Sequence, residues 1–433
     1  MVEATIRIER YADQGRCVGH IDGRVVFVRF ALPGELVKVR LDEPTNREDR
    51  FWTGEVVEVL EASEDRVEPV WPLAGPVSDG GGVGGADLVH VSLDGQLRWK
   101  STIIAEQLRR LGRIEIAAVP VERMPEDESL SGLHWRTRIE LIADNNGKVS
   151  MHRRGSHTRV PLDDMPLASQ ALLAVAEREG LWDGGFEPGS QIRVVVPEPR
   201  GLESNPDTAT LLKAIGDNYA ILVDGALRSG NKVLHEQVNV AGVDFDYIVD
   251  AAGFWQMHRH APVVLPNYVI SKVQEALQGS DSAIVWDLYS GSGLFTLPLA
   301  EMSAQRVRVL SVEGAKVAAA NARKNLRARD LHMVDARTGD VAATLGHLPK
   351  DLQHPDVVVL DPPRAGAKAK VCRSIADSGA ATVVYIACDP TSLARDTATL
   401  SGLGYALKDI RAFDIYPMTH HVETVAVFSK AEG

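Results

Sequence analysis

Apolar and polar positions alternate in short runs between residues 4 and 60: TIRIERY (5–11), GRVVFVRF (23–30), LVKVRL (36–41) and FWTGEVVEVL (51–60). The runs are broken at Gly19, Gly23, Pro33-Gly34 and Pro44. A period of two with such breaks predicts half-buried strands closing into a small antiparallel β-barrel. The Gly- and Pro-rich stretch WPLAGPVSDGGGVGGAD (71–87) reads as a loop or linker. In QLRWKSTIIAEQLRRLGRI (96–114) the apolar residues recur at helical spacing, with Gly112 as a stop. Residues from about 115 to 250 read as mixed strands and helices without a diagnostic pattern. From about 282 the rhythm becomes strand, glycine turn, helix, strand: SAIVWDLY, LFTLPLAEM, RVRVLSVE, KVAAANARKNLRA, then DVVVLD, VCRSIADSG and TVVYIAC. Such alternation predicts a parallel, doubly wound sheet.

At 433 residues and 45% hydrophobic, the chain is long enough for several domains. Its cysteines, Cys17, Cys372 and Cys388, are odd in number and far apart, which argues against a disulfide framework and for a reducing, cytoplasmic compartment. MVEATIRIERYADQGR has no apolar signal region and no segment approaches a membrane span, so a soluble protein with no membrane partner is expected. A net charge of −12 disfavours indiscriminate nucleic-acid binding. A local patch is still possible, and Trp135, Arg136, Arg138, His152, Arg153, Arg154, His157 and Arg159 form a basic stretch that is either such a patch or a solvated charged face.

The candidate chemistry lies in the carboxyl-terminal half. Cys388 closes the apolar run ATVVYIAC and is followed by Asp389 and Pro390, which sets a thiol at the carboxyl end of a strand, where open α/β sheets carry their sites. In DLYSGSGLFTL (287–297), Gly291 and Gly293 make a tight strand-to-helix turn, and Glu313 ends the next strand about 20 residues on, a spacing that suits a carboxylate gripping ribose hydroxyls. A dinucleotide site continues to a third glycine, whereas Phe295 and Thr296 occupy that region here, which favours S-adenosylmethionine over NAD. In VVVLDPPRAG (357–366), Asp361 is followed by two prolines that stiffen a loop able to hold a planar base. Uracil carbon 5 is too electron-poor to take a methyl group directly; a thiolate added at carbon 6 makes it nucleophilic, and a base must then remove its proton. Glu423, with His420 and His421 nearby in FDIYPMTHHVETVAVF, is the candidate base. Taken singly, each feature has a plain structural reading: a glycine turn, a proline-rich turn, a buried cysteine or a solvated glutamate.

Together, YIACDPTSLARD (385–396), DPPRAG (361–366), DLYSGSGLFTLPLA (287–300) and YPMTHHVET (416–424) resemble the RNA uracil-5 methyltransferase family. The barrel looks like that family's TRAM domain, an OB-like RNA-binding module, and AGFWQMH (252–258) resembles a segment whose Gln contacts the cofactor. The resemblance implies a TRAM barrel over 1–62, a mixed α+β central domain over 63–250 whose helix near 96–114 packs on the catalytic domain, and a Rossmann-like S-adenosylmethionine-dependent methyltransferase domain over 251–433. It implies Cys388 as nucleophile and Glu423 as base, with Gln256, Tyr289, Gly291, Glu313, Asp340 and Asp361 at the cofactor and Arg364, Thr419, Arg136 and Arg154 toward the RNA. A monomer acting on ribosomal or transfer RNA is expected, ribosomal RNA being favoured because some transfer-RNA members lack the barrel. The alternatives are an amino-group base methyltransferase, which has an aromatic residue where this chain has Arg364, an RNA-binding protein without catalysis, and a small-molecule methyltransferase, which the barrel disfavours.

Two departures stand out. Many relatives hold a four-iron cluster on cysteines near the linker, but Val83, Ala86 and Met165 stand at the corresponding positions here, so no iron-sulfur cluster is expected. The family's Ser-Cys-Asn is Ala387-Cys388-Asp389 in this chain. A carboxylate facing the thiol would raise its pKa, so Asp389 is expected to point away or to pair with a cation such as Arg395.

Overall fold

A computed structural model describes residues 2–42, 48–202, 206–302 and 306–431. The expected break at Pro44 lies outside them. The alternating runs at the start form a closed barrel of β1 (Glu3–Ala12), β2 (Arg16–Ile21), β3 (Arg24–Arg29), β4 (Leu36–Leu41) and β5 (Phe51–Glu61), in the order β1-β2-β3-β5-β4. Two details differ from the sequence expectation. RCVGHI forms a strand that the pattern did not single out, because Cys17, Val18 and Gly19 are buried in succession instead of alternating. The β3–β5 pair is parallel, so the barrel is not wholly antiparallel. Ile6, Ile8, Val26, Val28, Val37 and Val39 fill its interior.

The linker leads through Ser92, whose hydroxyl caps the next element by accepting from Gly95 N, into α1 (Leu93–Gln107). One π-helical turn, Leu108–Gly112, follows, and the helix stops at the expected glycine. A short strand, β6 (Val121–Arg123), comes next. A separate six-stranded sheet contains β7 (Arg138–Ala143), β8 (Val149–His152), β9 (Arg159–Pro161), β10 (Gln191–Val195), β11 (Ala220–Val223) and β12 (Ala226–Gly230), with α2 (Gln170–Arg178) and α3 (Thr208–Ile215) against it. The basic stretch threads this region and is not one surface. Trp135 and Arg138 are buried, Arg138 pairs with Glu236 at 3.5 Å, and Arg159 donates to the Ala143 carbonyl at 2.8 Å, while His152 and His157 are exposed.

Val83, Ala86 and Met165 are all buried in the apolar core shared by barrel, linker and central sheet. Arg154 braces the glycine-rich loop beside them: its guanidinium donates to the carbonyls of Ala74 (2.9 Å), Gly75 (2.6 Å) and Val83 (2.7 Å) and lies 4.5 Å from the Phe30 ring centroid. Charge-assisted bonds to carbonyls are worth more than neutral ones, and removing the donor strands the acceptors. Arg154→Ala should therefore cost about 2–4 kcal/mol. Thermal unfolding followed by circular dichroism checks this, and an unchanged midpoint would refute the bracing role.

The rest of the chain supplies a two-stranded hairpin and seven strands of an eight-stranded sheet whose eighth strand is β6. In chain order it comprises the hairpin β13 (Val233–Val240) and β14 (Val243–Asp250), which is separate from that sheet, then α4 (Ala261–Ala276), β15 (Ser282–Leu288), α5 (Thr296–Ala300), β16 (Arg306–Glu313), α6 (Lys316–Ala328), β17 (Val334–Thr338), α7 (Val341–Leu345), β18 (Val357–Leu360), α8 (Lys368–Ser378), β19 (Thr382–Ala387), α9 (Pro390–Gly402), β20 (Tyr405–Asp414) and β21 (Glu423–Lys430). The spatial order is β17-β16-β15-β18-β19-β21-β20-β6. Strands β15 to β19 are mutually parallel, as the βαβ rhythm predicts, but β21 is antiparallel to both β19 and β20. These last two strands lie beyond the runs that carry the βαβ rhythm, and they are antiparallel because β20 returns directly into β21 through residues 415–422, with no crossover helix. Val285, Val357, Val359 and Val384 face one apolar layer and Leu288, Val358, Leu360 and Tyr385 the other. Burial on both faces explains the continuous apolar runs. The chain runs outward to one side from β15 and then resumes at β18 on its other side, so a topological switch point lies between the carboxyl ends of these strands.

Candidate active site

The turn after β15 sits at that switch point. Tyr289, Gly291 and Gly293 have φ of 62°, 56° and 93°. A Cβ built at Gly291 would meet nothing within 4 Å, so the turn borders open space. Glu313, at the end of β16, accepts from Gly291 N at 2.8 Å through one carboxylate oxygen and from Ala315 N at 2.6 Å through the other. Each oxygen keeps a lone pair for a hydroxyl. Asp340 caps α7 by accepting from Ala343 N at 2.8 Å and is exposed, beside Gly339, whose N–H donates to the Glu313 carbonyl at 2.9 Å. Asp287, which sequence reasoning did not select, is buried. Its Oδ2 accepts from Thr296 at 2.5 Å, its Oδ1 has no partner among the described residues, and burial, with Glu313, pushes its pKa up to about 7 against the pull of the Thr296 bond. Its position as the last acidic residue of a strand, two residues before the turn, was a usable signal.

Gln256 is buried and its Oε1 has no partner among the described residues. An unpaired buried acceptor is costly, so such an atom points to a donor supplied by a ligand. With the open turn at Gly291 and the bidentate Glu313, it makes a donor and acceptor set that fits a nucleoside cofactor carrying ribose hydroxyls and an amino group.

Asp361 follows β18, and its enclosed carboxyl is pushed up to about 7 by burial and then by Asp287 and Glu313. The loop behind it is latched by Asp396 of α9, another residue the sequence reading missed: its Oδ2 accepts from Ala367 N at 2.7 Å and from Tyr385 Oη at 2.6 Å. Gly366, with φ of 77°, lies so close that a Cβ there would sit 2.5 Å from that oxygen. The loop is thus held by more than its prolines.

Cys388 follows β19, and Glu423 opens β21. The last pair between these antiparallel strands is Ala387 with Thr424, so the thiol and the carboxyl lie one residue further along at adjoining strand ends. Glu423 is buried, its Oε1 has no partner among the described residues, and burial followed by Asp361 holds its pKa well above the carboxylate range. The Cys388 thiol is free and part-exposed; burial, then Glu423 and Asp361, push it up to about 12 against the pull of Arg364. Asp389 contributes least among the causes. Its carboxylate caps α9 by accepting from Ser392 N at 2.6 Å and does not pair with Arg395, which is exposed.

A raised thiol pKa keeps sulfur protonated until the pH approaches it. At about pH 8 the thiolate fraction is on the order of 10⁻⁴ for such a group, against about a quarter for an ordinary thiol. Carbamidomethylation of Cys388 in the ligand-free protein should therefore be slow and accelerate about tenfold per pH unit from about pH 7 to 10. A rate that levels off near about pH 8.5 contradicts the assignment.

All four residues expected to face RNA line one cavity of about 550 Å³, together with Arg29 of the barrel, Asp87 of the linker, Met257, Tyr416, His420 and His421. Arg364 is exposed at its rim, and Thr419 donates to the Tyr416 carbonyl at 2.9 Å. Arg136 reaches Met257 Sδ at 3.3 Å. Arg154 lines the cavity too, but the carbonyl bonds described above engage its Nη atoms. His420 Nδ1 meets Asp87 at 2.7 Å, while burial and His420 hold His421 down at about 4, hence neutral at physiological pH. A larger cavity, about 620 Å³ between α6 and β16–β17, contains none of the candidate groups.

Comparison with known proteins settles the class. Residues 3–59 match the TRAM domain, 347–431 match the tRNA (uracil-5-)-methyltransferase model and 261–347 match protein-L-isoaspartate(D-aspartate) O-methyltransferase. The chain is 68% identical over 430 residues to an uncharacterized RNA methyltransferase of Bifidobacterium longum, covering 99% of this chain and 97% of that protein. The chain belongs to the RNA uracil-5 methyltransferase family. Another uncharacterized RNA methyltransferase, from Streptomyces avermitilis, is 34% identical over 447 residues, covering 99% and 98% of the two chains. The methyltransferase's fold is shared by the Pyrococcus abyssi tRNA (uracil-54, C5)-methyltransferase solved with S-adenosyl-L-homocysteine, at TM-score 0.66 and 21% identity over 99% of this chain and 100% of that one.

Proposed function

We propose that this protein transfers a methyl group from S-adenosylmethionine to carbon 5 of a uridine in structured RNA, with Cys388 as nucleophile and Glu423 as base. The observation that carries the reading is the juxtaposition of a free thiol and a buried carboxyl whose Oε1 has no partner among the described residues, at adjoining strand ends beside an arginine-lined cavity. The cofactor supplies an electrophilic methyl group on a sulfonium, and Gln256, Glu313, Tyr289, Asp340, Asp361 and the Gly291 turn are the residues that would hold it.

Cys388, its proton lost to solvent, adds as thiolate to uracil carbon 6 and leaves the electron pair on carbon 5 and its conjugated carbonyl. Carbon 5 would then take the methyl group, the broken carbon–sulfur bond leaving its electron pair on the cofactor's sulfur, which departs as a neutral thioether. Glu423 then accepts the carbon 5 proton, the carbon 6–sulfur bond breaks, and the thiolate departs, so atoms and charge balance. Addition also turns the thiolate into a neutral thioether. The Glu423 carboxylate therefore ionises without facing a second negative sulfur, which suits a base needed only after addition. Arg364 at the cavity rim offers a cation to the uracil oxygen or a neighbouring phosphate.

RNA contact extends onto the barrel. Phe27 and Phe51 meet edge to face at 5.3 Å, Arg16 lies 4.9 Å from the Phe27 ring and Arg24 lies 4.4 Å from the Trp52 ring, while Arg29, two residues from Phe27 on β3, lines the cavity. Aromatic rings interleaved with arginine suit the stacked bases and phosphates of an unpaired strand, and so favour a flipped-out target over an intact duplex. The barrel does not separate RNA classes, because the aligned Pyrococcus transfer-RNA protein matches over this chain's whole length. Mass mapping of 5-methyluridine in ribosomal and transfer RNA, from cells with and without the protein, should show loss at one or a few uridines. An unchanged map in both classes refutes the reading.

A further inference from the structure

The loop 415–422, which delivers Thr419, His420, His421 and then Glu423, is held from outside the methyltransferase sheet by residues 87–100. Gln96 and Lys100 stand one helical turn apart on α1, and both are fully buried. Gln96 Oε1 accepts from Met418 N at 2.8 Å, and its amide nitrogen donates to the Val91 carbonyl at 2.9 Å and reaches Met418 Sδ at 3.3 Å. Lys100 Nζ pairs with Asp414, at the end of β20, and donates to the Tyr416 carbonyl at 3.0 Å. Leu88 N donates to the Met418 carbonyl at 2.9 Å, and Asp87 meets His420 at 2.7 Å.

These bonds are more than the loop needs merely to be covered. Met418 has φ of 64°, a conformation that side chains other than glycine rarely adopt and that persists only where surrounding contacts impose it. The loop closes this turn itself, Thr419 N donating to the Tyr416 carbonyl at 3.2 Å, and both backbone polar groups of Met418 are engaged by residues 88 and 96, so the linker and α1 fix where the turn sits. The loop ends in the carboxyl proposed to take the carbon 5 proton, and its Thr419 follows Met418 directly. A base must meet its proton at hydrogen-bonding distance.

Resting on the reading of Glu423 as base, we propose that Gln96 and Lys100 are positioning residues for proton removal: through Met418, Tyr416 and Asp414 they set where the 415–423 segment presents its carboxyl to the covalent RNA adduct. Their loss acts after methyl transfer and leaves RNA capture intact.

The test uses the full chain, unmodified total RNA from cells lacking the protein, and methyl-labelled cofactor. Gln96→Leu and Lys100→Met should lower kcat roughly 10- to 100-fold with KM for RNA within about threefold. Both should also accumulate a methyl-labelled protein–RNA adduct on denaturing gels, as Glu423→Gln does. A kcat that falls only with the folded fraction, without labelled adduct, overturns the proposal. Because Lys100→Met leaves Asp414 as a lone buried charge, Lys100→Met/Asp414→Leu separates stability from positioning. Stability should recover while the adduct persists, since the Tyr416 carbonyl still lacks its tie to α1 through Lys100; full recovery of kcat overturns the proposal. If Glu423→Gln itself gives no labelled adduct, the base assignment fails. If it gives one and the α1 variants do not, only the positioning role fails.

Discussion

Cys388→Ala should abolish methylation of RNA, with kcat/KM falling roughly 10⁴-fold or more. No other thiol can substitute: Cys17 and Cys372 are buried, and burial raises both of their pKa values. The substitution should leave folding intact, because the thiol accepts no structural burden comparable to that of its neighbours Asp389, which caps α9, and Tyr385, which holds Asp396. Incubation of the unaltered protein with RNA containing 5-fluorouridine should trap an adduct that maps to Cys388, since fluorine at carbon 5 leaves no proton for Glu423 to remove. The alanine variant should trap nothing. Turnover that survives the substitution would instead support methylation of an exocyclic amino group, which requires the Asp361-Pro362-Pro363 loop but no sulfur.

Glu423→Gln should produce the opposite kinetic picture. Addition and methyl transfer precede proton removal, so the variant should carry methyl label into a stable protein–RNA complex while steady-state turnover falls about 10²- to 10⁴-fold. Glutamine keeps the size of the side chain and avoids burying a carboxyl whose pKa burial already holds high. The variant should therefore melt no lower than the parent. A variant that neither turns over nor retains label would place Glu423 in an earlier step, and one with undiminished turnover would remove it from the mechanism.

Much of this site could be read along the chain. The thiol, the glycine turn, Glu313 and Asp361 each end an apolar run, and strand ends in a βαβ sheet share one edge, so period and punctuation alone grouped them. Less could be read of what holds them. Asp396, Gln96 and Lys100 lie on ordinary amphipathic helices, where a buried polar side chain looks like a solvated one until its partner is known. Arg138 and Arg154 looked like members of a basic surface because sequence proximity says nothing of direction: one is paired with Glu236 inside the fold, and the other is spent on carbonyls of the glycine-rich loop.

By itself the sequence determined most element types of the barrel and of the carboxyl-terminal half, the parallel part of the sheet and the residues proposed as nucleophile and base, because periodicity and residue chemistry are local properties. Only the tertiary structure decided that β21 runs antiparallel beside β19, which brings Glu423 from 35 positions away to the side of Cys388. It alone decided that barrel, linker and central sheet converge on one cavity and that α1 anchors the turn at Met418. Those outcomes depend on strand order and on buried polar atoms finding partners far off in the chain, and a desolvated donor or acceptor is satisfied by whichever group the fold brings within reach.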